Sequence, residues 1–301
     1  MRLPRILPAL ALYICLILYP TQVIVGIRDS LDLCIKTLVP TIFPFAVVTN
    51  MLVGYNCEIW ISQFIKKPFE YLFHLNSNLA FAYILGIFSG YPQGAVAILA
   101  VYEKGGCTKE EAEHALCFCN NTGIAFLLGA VPVIFNNSRL GIQLFTVQLV
   151  SSFIYAVIFR PKGIIKTNIL PETEVAQTEP ILVSSVMRAI RPTVTVSAFV
   201  MLFGALGTLI NDLFIHYSLS PLFSSILLCF LEITNASGYL SQLESELSLP
   251  LMAFAVCFSG ICVHLQIAGC LKNKLSMKRF FTAKLFQGIC AFLIILIFKI
   301  Y

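Results

Sequence analysis

Hydrophobic residues run along this chain in long blocks with little polar punctuation. Seven blocks are apolar over most of their length, at about 6–25, 30–54, 79–101, 139–160, 182–210, 221–242 and 277–299. Each could cross ~30 Å of hydrocarbon as a helix. Two more, at about 106–135 and 249–272, are apolar at both ends and interrupted at the centre. The sequence predicts these two as hairpins that enter the membrane and return on the same side. Between 57 and 73, CEIWISQFIKKPFEYLF carries a tryptophan, phenylalanines and two lysines at helical spacing, which suits a helix lying in the interface. The polar stretch from Lys166 to Pro180, with two prolines, is the one clear linker and divides the chain nearly in half.

The pattern therefore predicts an all-α polytopic membrane protein of about seven transmembrane helices plus two re-entrant hairpins. Its expected organisation is an N-terminal signal-anchor helix (1–27), a first repeat (28–160), a cytoplasmic linker (161–181) and a second, inverted repeat (182–301). Composition agrees: 58% of residues are hydrophobic, 12% are charged and mean hydropathy is +0.87, outside the range of a soluble domain. Arg2 and Arg5 precede an apolar run with no small-x-small cleavage site after Tyr19, which predicts an uncleaved anchor. Most of the eleven cysteines (Cys15, Cys34, Cys229, Cys257, Cys262 and Cys290 among them) lie inside apolar segments, where cysteine acts as a small hydrophobe. No disulfide framework is implied.

The net charge of +5 matters through its placement. If all nine segments cross, the basic loop from Lys272 to Arg279 falls opposite Arg2 and Arg5. If the two interrupted segments are hairpins, one side collects thirteen Lys and Arg and the other six. The hairpin arrangement satisfies the positive-inside rule and places the N-terminus in the cytoplasm. It also relates the two halves by inversion, the plan of many secondary transporters. IKTLVPTIFPFAVV (35–48) resembles AIRPTVTVSAFV (189–200) around a Pro-Thr pair. CFCNNTGIAF (117–126) and CFSGICVHLQ (257–266) break an apolar run in a similar way.

Candidate chemistry sits at four breaks. SGYPQG lies at the centre of the third apolar block, and LEITNASGY (231–239) at the matching place in the second half. Asn120-Asn121-Thr122-Gly123 and Ser259-Gly260 lie at the centres of the expected hairpins. Pro92 removes a backbone donor, and the glycines allow backbone that other residues avoid. Such breaks persist at membrane depth only inside protein or against a watery cavity. Half-helix N-termini then direct positive ends into that cavity. The expected substrate-binding residues are Ser89, Gly90, Tyr91, Gln93, Asn120, Asn121, Thr122, Thr234, Asn235, Ser259 and Gly260. The alternative for any one break is an ordinary membrane-helix kink.

Glu232 stands near the centre of a span, where a carboxylate pairs, protonates or binds a cation. Burial disfavours its charged form, which suits a proton-coupling role; the alternative is a protonated structural group. Glu232 and Asn235 share a helix face. For His264 and Gln266, hairpin packing and ligand contact are equal expectations. His114, Cys117 and Cys119 lack a fourth ligand, so helix packing is expected rather than a metal. Lys109 to His114 reads as a solvated helix start with Thr108 as N-cap. No phosphate loop, dinucleotide motif or nucleophile motif is present, so neither a cofactor nor an enzymatic activity is expected.

SGYPQGA, the acidic helix start, CNNTGIAFLLGAV, EITNASG and FSGICVHLQ, in that order over roughly residues 30–300, resemble the YlbJ (SpoVV) family of sporulation integral membrane proteins. That family carries the "nucleoside recognition" or Gate domain and is similar to concentrative nucleoside transporters, with two re-entrant hairpins and broken helices. The resemblance implies movement of dipicolinic acid into the forespore across the outer forespore membrane. The expected partners are a dipicolinate-like small molecule, the lipid bilayer, and either a homo-oligomer or a partner membrane protein, with no nucleic acid. Gate domains also occur in spore-maturation proteins and in iron transporters attached to a GTPase, but no GTPase motif is present here. One alternative is a membrane scaffold or gate that transports nothing. A nucleoside transporter is a second, although no close copy of the nucleoside-binding motifs is present.

Overall fold

The computed structural model describes residues 3–55, 57–161, 180–271 and 273–298. The predicted linker, apart from Pro180, lies outside the described residues. The elements run α1 (Leu3–Leu18), α2 (Pro20–Leu33), α3 (Val39–Gly54), α4 (Cys57–Phe73), α5 (Ala80–Phe88), α6 (Gln93–Glu103), α7 (Lys109–Cys119), α8 (Val131–Ile134) and α9 (Leu140–Ile158). The second half follows with α10 (Ile181–His216), α11 (Pro221–Leu231), α12 (Ile233–Ser241), α13 (Ser248–Phe258), α14 (Gly260–Leu271) and α15 (Met277–Phe298). Every regular element among the described residues is helical, and they form five spans long and apolar enough to cross a membrane: α9, α10 and α15 singly, and α2 with α3 and α13 with α14 as joined pairs. The chain is an integral membrane protein.

Two long helices form the scaffold. α2 and α3 join through a π-helical turn, Cys34–Leu38, into one span, and α10 packs antiparallel along them. Small residues let the backbones approach closely. A Cβ at Gly26 would stand 2.6 Å from Thr208 Oγ1 and 2.8 Å from the Gly204 carbonyl, and one at Gly204 would strike Ser30 Oγ. α4 meets α5 at a bend of 111° across the short turn 74–76, the attitude expected of an interfacial helix beside a membrane-entering one.

The structure keeps two hairpins and two broken crossings but exchanges their places. The expected span at 79–101 is a hairpin. α5 packs against α6, and its mouth is closed by Asn78 Nδ2 donating to the Gly106 carbonyl at 2.9 Å. The expected hairpin at 106–135 crosses instead. α9 follows it antiparallel from end to end: His114 bonds Ala156, Thr122 bonds Gln148, and Gly141 touches the Leu127 carbonyl.

The second half repeats the exchange. Leu228 and Tyr239, on either side of Glu232, both reach α10 at Gly207 and Thr208, whereas Asn235, closer to the break, bonds the Val200 carbonyl. The chain therefore goes in and returns, and the expected span at 221–242 is a hairpin. The expected hairpin at 249–272 is a single 24-residue crossing, Ser248–Leu271. One end is tied to the second hairpin by Ser248 Oγ donating to Leu240 O. Just beyond the other end, Ser276 N donates to Glu113 Oε1 and Lys274 pairs with Glu103, at the first hairpin's mouth.

Contacts at the first mouth revise the reading of the acidic run. Thr108 is the N-cap, with Glu111 completing a capping box. Glu111 is buried rather than solvated, and its Oε1 accepts from Asn76 N at 2.9 Å, which fastens the chain before the hairpin to the start of α7.

Glycine sets how closely the first hairpin seats. A Cβ on Gly86 or Gly94 would collide with the Cys119 carbonyl, while Gly238 in α12 faces open space. Gly86→Val should therefore abolish recovery of monodisperse protein in detergent, and Gly238→Ala should leave the melting temperature unchanged or raised. A Gly86→Val protein as stable as the parent would refute this packing.

Candidate functional site

Three of the four interruptions line one cavity halfway along the crossings, and the fourth, at Ser259-Gly260, packs against the second hairpin tip. Each is held by hydrogen bonds that replace those a continuous helix would make. At the first tip Gly90 has φ +70° and lies against Gly123 so closely that neither has room for a side chain. Tyr91 N donates to the Asn121 carbonyl at 3.0 Å, and Ser89 Oγ donates to Thr49 Oγ1 at 2.8 Å. Asn120 Oδ1 accepts from Ala95 N at 3.2 Å, so a residue of the broken crossing caps α6 from outside. Gln148 clasps Thr122 by both backbone groups, N–H to Oε1 and Nε2 to C=O, each at 3.0 Å.

The second tip turns on Glu232, which has extended backbone (φ −157°, ψ 127°) and is the N-cap of α12. Its carboxylate accepts from Thr234 N at 2.8 Å, Asn235 N at 2.7 Å and Asn235 Nδ2 at 2.8 Å. The carboxylate is buried, and the positive end of α12 faces it. Asn235 also accepts from Ser30 Oγ at 3.0 Å and donates to Val200 O at 3.1 Å, tying the hairpin to both scaffold helices. Glu232 thus lies at a reversal rather than in a continuous span.

Of the expected site residues, Ser89, Tyr91, Gln93, Thr122 and Thr234 line the cavity, together with Glu232. Gly90, Asn120, Asn121, Asn235, Ser259 and Gly260 are outside the lining and hold the breaks in shape. Ser259 has φ +70° and caps α13, and a Cβ on Gly260 would stand 2.8 Å from the Leu231 carbonyl. Phe45, Phe126, Pro92 and Val196 supply apolar wall, and Thr193, beside Pro192, adds a hydroxyl from α10. Gln266 also lines the cavity, with a buried Oε1 that has no partner in the protein. His264 does not line it; Nδ1 meets the Gly260 carbonyl at 2.7 Å and the ring lies among Phe258, Phe280 and Phe281.

Sequence reading passed over Lys284. It is buried on α15, and its Nζ donates to Asn121 Oδ1 at 2.9 Å and Gln287 Oε1 at 3.1 Å. A signal existed: FTVQL (145–149) and FTAKL (281–285) occupy equivalent helices of the two halves and align Gln148 with Lys284. His114 is buried at the Ala156 carbonyl, with Arg279 beside it; among the described residues no His, Cys, Asp and Glu cluster could hold a metal.

The architecture defines a class: a helical membrane protein in which paired re-entrant hairpins and paired broken crossings enclose a central cavity. The chain is 24% identical to the "Sporulation integral membrane protein YlbJ" of Bacillus subtilis (strain 168) over 303 residues, covering 88% of this chain and 74% of the relative. That similarity is of the kind expected from the motifs shared with YlbJ proteins. No family model matches, and no solved structure matches.

If the Glu232 carboxylate is a cap, Glu232→Gln should lower stability by about 1–3 kcal/mol, because one of the converging backbone donors would face an amide N–H₂. Chemical denaturation of purified protein checks this. An undiminished stability would free Glu232 from the capping role.

Proposed function

We propose that the chain is a transporter or facilitator of a small polar anion, with a dipicolinate-like dicarboxylate as the substrate class, acting in sporulation. The observation that carries the reading is the convergence of both hairpin tips and one broken crossing on one cavity. A scaffold has no need of interrupted backbone and polar side chains at that depth. Pseudo-symmetric hairpins reaching in from opposite sides suit alternating access.

Cavity chemistry supports the substrate class. Phe45, Phe126 and Pro92 offer flat apolar faces to a ring. The α6 N-terminus at Gln93 offers backbone donors to a carboxylate; the hydroxyls of Ser89, Thr122 and Thr193 already donate to Thr49 Oγ1, Val256 O and Ala189 O and would reach a substrate only by giving up those bonds. Gln266 Nε2 donates to Cys262 Sγ at 3.3 Å and has a second N–H to offer a carboxylate, while its unpartnered Oε1 would accept from a donor on the substrate. The charge of Glu232 is engaged by the α12 donors, which lessens its repulsion of an anion.

The exchange of hairpins and crossings strengthens the orientation argument. It moves Lys104 and Lys109 to the side of the N-terminus, giving fifteen Lys and Arg against four instead of thirteen against six. It also places Glu244 and Glu246 on the opposite side. A cytoplasmic N-terminus follows from the positive-inside rule, and the outer forespore membrane is the proposed location. The relative's name carries the word sporulation, which supports that setting.

Purified protein should bind dipicolinate by calorimetry and pass it across proteoliposomes. Gln93→Leu and Gln266→Leu should each weaken binding about tenfold or more while melting temperature holds, since a lost charge-assisted hydrogen bond is worth ~1.5–3 kcal/mol. No binding and no flux by well-folded protein would leave the scaffold reading.

A further inference from the structure

We infer that Lys284 is a built-in cation: its ammonium fills a monovalent-cation site at the first broken crossing, so the protein needs no bound metal cation there. Its two oxygen ligands are neutral amide oxygens, Asn121 Oδ1 and Gln287 Oε1. Among the described residues no carboxylate lies within ion-pair distance of it. A buried lysine with no carboxylate is costly unless something else supplies negative potential.

The end of α7 supplies it. α7 stops at Cys119, and the last turns of a helix carry unpaired carbonyls and the negative end of the dipole. Gln287 Nε2 donates to the Cys117 carbonyl at 2.8 Å and Asn121 Nδ2 to the Phe118 carbonyl at 2.7 Å. Each amide thus turns its N–H₂ to a helix-terminal carbonyl and its oxygen to Lys284. The two amides relay the helix end to the ammonium. The ring of Phe280 lies 5.8 Å from Nζ on another side. The remaining groups nearest in charge terms are the thiols of Cys117, Cys119 and Cys257, and the imidazole of His264.

Neutral oxygens gathered at a helix C-terminus make a site for a small monocation, and here a side chain occupies it. The inverted repeat marks the position as special, since its counterpart Gln148 clasps Thr122 with a neutral amide. Asn121 directly precedes Thr122, which lines the cavity, so Lys284 is a positioning residue for that wall. The consequence for transport, independence from sodium, rests on the reading above; the site itself does not.

The test measures melting temperature of purified full-length protein in sodium, ammonium and choline chloride at equal ionic strength. The parent should melt at one temperature in all three, because the site is filled. Lys284→Ala should melt ~5 °C or more lower in choline, as expected for loss of a few kcal/mol in a chain of this size, and recover at least half in ammonium or sodium. Lys284→Met, which keeps the volume and blocks entry, should be destabilised without rescue. Lys284→Ala equally destabilised in every salt, or Lys284→Met as stable as the parent, would overturn the built-in cation. Because this readout needs no substrate, failure of the transport reading would leave it standing.

Discussion

Backbone released from a helix inside a bilayer must find its partners in protein, and this structure is organised around that constraint. The interruptions are satisfied partly by one another and partly within themselves. The first tip takes the Asn121 carbonyl through Tyr91 N, while Asn120 returns a cap to α6. Thr122 is clasped by Gln148 on one side and donates through Oγ1 to the Val256 carbonyl of the second broken crossing on the other. Glu232 closes the second tip on itself. The cavity is what remains where these breaks face one another.

Charge follows the same constraint. The buried carboxylate sits at a helix N-terminus and the buried ammonium sits near a helix C-terminus, each offsetting the dipole end it meets. Neither pairs with the other. The sequence shows both charges, but their meaning depends on which helix end each one meets. Glu232 reads as a mid-span acid until the chain is seen to reverse there. Lys284 reads as a stray residue in a long apolar helix until Asn121 and Gln287 are brought to it across the fold.

Much else was legible. The four breaks, the sharp turn after α4 and the packing of the two Pro-Thr segments against each other all follow from composition and spacing. The direction of the chain after each break did not. Glycine, proline and asparagine announce a departure from helix, and they say nothing about whether the chain then continues or returns. Distant contacts decide that: Asn78 with Gly106 closes one hairpin, and Ser248 with Leu240 together with Glu113 with Ser276 stretches one segment across. One hairpin and one crossing stand side by side in each half, so exchanging them leaves the ends of each repeat unmoved. The distribution of Lys and Arg therefore favours the same orientation under either arrangement.

The two loops that the exchange moves provide the most direct measurement. Lys104→Cys, Glu244→Cys and Lys278→Cys proteins, each compared with the parent as blank, can be treated with an impermeant maleimide from either side of oriented membranes. The account predicts that positions 104 and 278 react from one side and position 244 from the other. Position 104 reacting opposite 278, with 244 on the side of 278, would contradict it, because 80–103 and 221–241 would then cross and the cavity between two hairpin tips would not exist.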